Sequence, residues 1–283
     1  SVENITFDTS PPVIVINEPT ANGFYNPVML GYELNETLVS GKIILERRGG
    51  ANDPMSPHEI ALSNDQLLPG KKSDFLINTH TNLISNTTYN IRIEGQDIAG
   101  NMGKSPEITG VTFDDIPPDI SVTSPAPDSY INETILGLRT NEVLSEAKIE
   151  WIWVDGNPDP AGTYESKMIG DQLQDGDYPE VKFDPPPSLI SGARYRVVYT
   201  GTDRAGNTST YALGTLFVDN EPPEISMLFP IENGFTNVNE VSYELNDPLL
   251  MANLIWTSID GAETISIDLT GDELKPGIFT QAT

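Results

Sequence analysis

Asp97-Ile98-Ala99-Gly100-Asn101 recurs as Asp203-Arg204-Ala205-Gly206-Asn207, 106 residues later. Each copy of this turn is followed by a linker of the form Asp-x-x-Pro-Pro-x-Ile. The linkers run Asp8 to Ile14, Asp114 to Ile120 and Asp219 to Ile225, at spacings of 106 and 105 residues. A fixed period means an array of one unit, and about 105 residues is a small domain rather than a solenoid repeat. Ser1–Asp8 aligns with Glu107–Asp114, the end of the first copy. The expected organisation is therefore residues 1–8 as the last strand of a preceding unit, full units 9–114 and 115–219, and a truncated unit 220–283 that stops before its own turn.

Between the linkers the signals are those of short strands. Val13 to Asn17 is a β-branched run closed by Pro19, and Met29 to Leu34 precedes Asn35-Glu36. Ile43 and Leu45 point the same way in a period-two alternation, with counterparts Ile149 and Trp151, then Leu254 and Trp256. These are expected to face inward and fill a sandwich core. Asp65-Gln66-Leu67 with Gly70 returns as Asp171-Gln172-Leu173 with Gly176 and as Asp272-Glu273-Leu274 with Gly277. Tyr89, Ile91 and Ile93 alternate with Asn90, Arg92 and Glu94, which predicts a strand buried on one face. No segment carries sustained helical periodicity. About seven strands per unit predict an all-β chain of tandem immunoglobulin-like, fibronectin III-like β-sandwiches, with Tyr89 and Tyr195 as tyrosine corners.

Asp-x-Ala-Gly-Asn followed by a strand ending in Asp-x-x-Pro-Pro resembles the tandem immunoglobulin-like domains of large bacterial surface proteins and adhesins. The Leu83-x5-Tyr89 strand resembles that of fibronectin type III modules. The resemblance implies an extracellular or cell-surface setting, and neighbouring copies in the same chain as partners. In several such arrays calcium at the domain junctions stiffens the chain. The cadherin linker signature is not present.

Sandwich topology brings the end of the second strand and the end of the penultimate strand to the pole where the linker enters. This gathers Asp8, Glu36 and Asp97 at one junction, and Asp114, Asp115, Glu142 and Asp203 at the next. A third junction holds Asp219, Glu221 and Asp247 without a turn. Converging carboxylates repel one another unless a cation neutralises them, and Ca²⁺ accepts six to eight oxygens in flexible geometry. The same residues also have a turn-forming role: Gly and Asn at positive φ, the Asp capping a turn, and Pro-Pro stiffening a linker. Both readings stand at this point.

The chain holds 42 acidic and 15 basic residues, a net charge of −27. That argues against nucleic acid or an anionic membrane surface as partner. With no cysteine, disulfides and thiolate metal sites are excluded. No apolar run reaches membrane-spanning length. The two histidines, His58 and His80, have no histidine counterparts in the other copies and read as exposed loop residues. Tyr130, Trp153, Tyr164 and Tyr178 read as core or loop packing rather than a sugar-stacking patch. The copies share scaffold and junction acids but no catalytic set. The expected function is a non-catalytic spacer, an adhesin stalk. Alternatives are a module binding glycan or protein through loops Gly49 to Pro57 and Asp155 to Tyr164, or an accessory region of a secreted hydrolase.

Overall fold

The computed structural model describes residues 6–238, 240–259 and 261–282. The chain divides into two compact units, Ser1–Val218 and Asp219–Thr283. Residues 1–5 of the strand expected from a preceding unit lie outside the described residues, and Thr6, Phe7 and Asp8 carry no strand.

The first unit contains two β-sandwiches. In the first, β1 (Ile14–Glu18), β2 (Phe24–Tyr25), β3 (Met29–Leu34), β4 (Leu38–Gly50), β5 (His58–Ala61), β6 (Gly70–Leu76), β7 (Thr87–Asp97), β8 (Met102–Lys104) and β9 (Ile108–Phe113) follow in order. One sheet is β1-β3-β6 and the other β2-β9-β7-β4-β5, with β8 on the end of β7. This is the strand order of an immunoglobulin-like, fibronectin III-like domain. Strands β10 (Ile120–Ser124), β11 (Tyr130–Ile131), β12 (Leu136–Thr140), β13 (Leu144–Gly156), β14 (Thr163–Lys167), β15 (Gly176–Val181), β16 (Ala193–Asp203) and β17 (Thr208–Val218) repeat it. Their sheets are β10-β12-β15 and β11-β17-β16-β13-β14.

Period-two patterning sets each strand's inner face. Tyr89, Ile91 and Ile93 are buried on β7, as are Tyr195, Val197 and Tyr199 on β16. Ile43 and Leu45 face this core from β4, and Ile149 and Trp151 do so from β13. The tyrosine corners are present: Tyr89 Oη accepts the Ile84 N–H at 3.2 Å, and Tyr195 Oη accepts that of Ile190 at 3.1 Å. Each Asp-x-Leu stretch is one turn of 3-10 helix. The glycine after it has φ of 101°, 147° or 140°, a region that side-chain-bearing residues avoid, which explains Gly70, Gly176 and Gly277. No α-helix occurs among the described residues, and no helix is long and apolar enough to cross a membrane.

The second unit is β18 (Ile225–Phe229), β19 (Glu240–Leu245), β20 (Asn253–Thr257), β21 (Thr264–Asp268) and β22 (Gly277–Ala282), as sheets β18-β19-β22 and β20-β21. Its core is built on Val241, Tyr243, Leu245 and Leu269. Here the inward expectation for the third strand holds for Leu254, which packs against this core, but not for Trp256. Trp256 is 36% exposed and Leu254 only partly buried, whereas Trp151 is fully buried. Trp151 pairs in register with Val197 of β16, and the described residues of this unit contain no counterpart of that strand.

Candidate metal centre

The pole that receives the linker is fixed by an asparagine after the second long strand of each copy. Asn35 Oδ1 accepts the Val13 N–H at 2.8 Å, and the Asn35 N–H reaches back to the Val13 carbonyl. Asn141 holds Asp119 in the same way at 2.8 Å, and Asn246 holds Glu224 at 2.7 Å. This clamp fixes the residue after each asparagine, Glu36 or Glu142, beside the incoming linker. Its signal in the sequence was the register of Asn35, Asn141 and Asn246.

The Asp-x-Ala-Gly-Asn turn closes the pole. Asp97 Oδ1 accepts the Asn101 N–H at 2.9 Å, and Asp203 Oδ1 accepts those of Ala205 and Asn207 at 2.8 and 2.9 Å. Only the glycine enters the left-handed region, Gly100 at 94° and Gly206 at 91°. The expectation that the asparagine also takes positive φ is corrected. Its side chain is used instead. Asn101 Nδ2 donates to Asp97 Oδ2 and to the carbonyl of Asp8, and Asn207 Nδ2 donates to Asp203 Oδ2 and to the carbonyl of Asp114. The turn therefore ties the linker backbone to the penultimate strand.

Around this scaffold the carboxylates converge. Asp8, Glu36 and Asp97 bring one oxygen each within 4.8 Å of one another, and so do Asp114, Glu142 and Asp203. Two oxygens bound to one Ca²⁺ at 2.3–2.6 Å lie at most about 5 Å apart, so both clusters match that spacing. None of the six acids pairs with a Lys or Arg among the described residues. The cost of this convergence shows on Glu142, whose pKa is pushed up to about 7 by burial and by the charges of Asp114 and Asp203. Asp97 behaves differently. Burial raises its pKa, but hydrogen bonds from Asn101, Ala99 and Gly100 outweigh this and hold it below the usual carboxylate range.

The other expected ligands stand apart. Asp115 is exposed and its N–H donates to Ser85 Oγ, whose hydroxyl donates in turn to Asp114 Oδ1. Asp219 and Asp247 are half-buried in the second unit, and neither belongs to a three-carboxylate cluster among the described residues.

A second polar cluster was missed. His58, expected in an exposed loop, is 6% exposed on β5, while His80 is exposed and stacks on Phe75. The Asp53 carboxylate accepts from His58 Nε2 and from Tyr89 Oη, each at 2.6 Å, and Thr81 Oγ1 pairs with His58 Nδ1 at 2.6 Å. Burial raises the Asp53 pKa, yet these hydrogen bonds and that of the Met55 N–H leave it lowered. Thr81-His58-Asp53 has the order of a nucleophile triad, but the imidazole is enclosed and Asp53 is shared with the tyrosine corner. In the second sandwich Asp159 takes the place of Asp53, bonded to Tyr195 Oη at 2.6 Å and Tyr164 Oη at 3.3 Å. The pairs Asp53/Asp159 and His58/Tyr164 are each 106 residues apart, a signal hidden in loops that otherwise differ. Of the aromatics expected to be packed, Tyr164, Trp153 and Tyr178 are partly buried against the core, but Tyr130 is 74% exposed.

Comparison with protein-family models and with curated proteins gives no match. Among solved structures the chain is similar to a tetra-tandem repeat in the extending region of a large adhesion protein. The TM-score is 0.30 at 14% identity, over 96% of this chain and 65% of that one, so this chain spans about two thirds of its length. It is similar to a structure of a 1.5-MDa bacterial ice-binding adhesin, with TM-score 0.34 and 15% identity over 96% of this chain and 87% of that one. Fibronectin(III)-like modules of Clostridium thermocellum CbhA give 0.31 and 12%, over 73% and 94%. Likenesses of this size carry no functional weight. The fold rests on the sheets and cores above.

Proposed function

We propose that the chain is a non-catalytic spacer segment of a repetitive cell-surface or secreted protein, stiffened by Ca²⁺ at the joints between its sandwiches. The domains are 9–114, 115–219 and 220–283. Asp8, Glu36 and Asp97 hold one ion, and Asp114, Glu142 and Asp203 hold the next. Asp115 adds charge at that joint, and Asp219 and Asp247 add charge at the third linker. The observation that carries this reading is the recurrence of one three-carboxylate cluster at register-matched positions of consecutive sandwiches. A cation there cross-links the linker, the β3–β4 or β12–β13 turn and the Asp-x-Ala-Gly-Asn turn. The setting follows from the resemblance of the repeated motifs to surface arrays, and a ligand-binding tip would lie elsewhere in such a protein.

The test is thermal unfolding of the 283-residue chain in millimolar Ca²⁺ and in EDTA. Binding to the native state at a hundredfold excess over Kd contributes about 2.7 kcal/mol. That is roughly 5–10 °C for a unit of this size. Glu36→Gln with Glu142→Gln removes one charge from each cluster without touching the turns, and abolishes the shift. Equal midpoints for the unsubstituted chain in Ca²⁺ and in EDTA would remove calcium from the proposal.

A further inference from the structure

The joint inside the first unit also contains a contact between side chains other than the clustered carboxylates. Strand β2 runs parallel to the end of β9, pairing Phe24 with Thr112 and Tyr25 with Phe113, and the Asp114 N–H donates to the Tyr25 carbonyl at 3.2 Å. Phe24 and Asn26 are thereby held at the linker, on the end of the first sandwich that faces the second. The turn of the second sandwich reaches both. Asn26 Nδ2 lies 2.6 Å from Asn207 Oδ1, and the Arg204 guanidinium carbon sits 5.3 Å from the centre of the Phe24 ring.

The chemistry of this contact is constrained. Asn207 is buried, and its Nδ2 donates to Asp203 Oδ2 at 2.7 Å and to the Asp114 carbonyl at 2.9 Å. Both amide hydrogens are thus committed, which orients the side chain and leaves Oδ1 as an outward acceptor. Only a donor satisfies it, and Asn26 supplies one. Arg204 meets Phe24 within the range of a cation–π contact. The aromatic-x-Asn triplet is not peculiar to this joint. It recurs as Tyr130-Ile131-Asn132 and Phe235-Thr236-Asn237, at spacings of 106 and 105. Strand β11 also repeats the parallel pairing of β2, setting Tyr130 against Phe217.

We propose that this triplet is a docking edge for the Asp-x-Ala-Gly-Asn turn of the following sandwich, with Phe24 and Asn26 seating Arg204 and Asn207. The edge fixes the orientation of the joint through protein contact, independently of a metal. It deepens the spacer reading and rests on it for its purpose, while the contact itself is read with cations removed.

The chain contains no cysteine, so spin labels on Asn82→Cys and Asp175→Cys, both exposed, report the joint alone. Pulsed electron spin resonance in EDTA gives one narrow distance for the parent. Asn26→Ala with Arg204→Ala broadens that distribution at least twofold while circular dichroism stays unchanged. Should that pair fail to fold, Asn26→Asp alone serves, since it sets an acceptor against Asn207 Oδ1 and broadens the distribution in the same way. A parent distribution already broad in EDTA, or a width the substitutions leave unchanged, overturns the docking edge. The calcium reading fails separately, when the width of the substituted protein does not narrow on adding Ca²⁺.

Discussion

Asn207 Nδ2 donates to the carbonyl oxygen of Asp114 across 2.9 Å, and Asn101 stands in the same relation to Asp8 at 3.2 Å. Ninety-three residues separate each pair. The last residue of a turn therefore holds the first residue of its own domain's linker. Each turn motif and linker motif are two halves of one structural element.

Asn207→Ala leaves Asp203 Oδ2 and the Asp114 carbonyl short of a donor in a buried place. An unsatisfied buried polar group costs about 1–3 kcal/mol. The substitution should lower the midpoint of the corresponding unfolding transition in urea accordingly, read by circular dichroism. Asn207→Asp should cost more, because it also adds a fourth carboxylate beside Asp114, Glu142 and Asp203. An unchanged midpoint for both would show that the turn is held without this asparagine.

Glu142 gives a pH dependence of defined sign. Its folded-state pKa is raised from 4.5 to about 7. Between those values the folded chain binds more protons than the unfolded one, so stability falls as pH rises through that window. Below 4.5 the group is neutral in both states and the penalty vanishes; above about 7 it is complete. In EDTA, Glu142→Gln should raise the melting midpoint at pH 7.5 by on the order of 1–3 °C. It should have no effect at pH 4. A cation in the cluster reverses the outcome, since the glutamine then removes a ligand. A substitution effect independent of pH would contradict this account.

The Asp53 network should govern the acid stability of the first sandwich. Its lowered pKa means that Asp53 contributes stability at neutral pH that is lost as pH falls through the folded-state value. Tyr89→Phe removes one of the donors that hold the carboxylate ionised, and also the acceptor of the Ile84 N–H. Acid unfolding should then begin at higher pH, with about 1–3 kcal/mol lost at pH 7. Backbone amide signals of residues 14–113 followed by NMR separate this sandwich from its neighbour. An acid transition at the parent pH would place the stabilising contacts elsewhere.

Trp151 and Trp256 occupy the same register and should differ in consequence. Trp151 is fully buried, although its Nε1 has no hydrogen-bond partner, and Trp256 is 36% exposed. Trp151→Ala should cost about 3–5 kcal/mol. Trp256→Ala should cost under about 1 kcal/mol, as an exposed side chain does. Urea titrations of the two variants compare them directly, and equal losses would contradict the burial assigned to Trp256.

The Asp-x-Ala-Gly-Asn and Asp-x-x-Pro-Pro motifs, recurring with one period, were enough to read tandem sandwiches. Alternation along Tyr89-Ile91-Ile93 identified the inner face of β7, because side chains on a strand alternate between its two faces. The same logic brought Glu36 beside Asp97 and Glu142 beside Asp203, since strand direction decides which ends share a pole. What stayed hidden was carried by contacts over long separations. His58 looks like a loop residue until β5 pairs with β4 and encloses it against Asp53 and Tyr89. Asn26 and Asn207 look unrelated until the linker brings one sandwich against the next.

The sequence by itself determined the repeated motifs and the sandwich class, because period and alternation are read along the chain without its three-dimensional contacts. Only the tertiary structure decided which side chain of each motif is spent on the backbone and which is left facing a neighbour. Asn207 shows the reason. Its orientation is set by Asp203 and Asp114 together, and no local stretch of sequence contains all three.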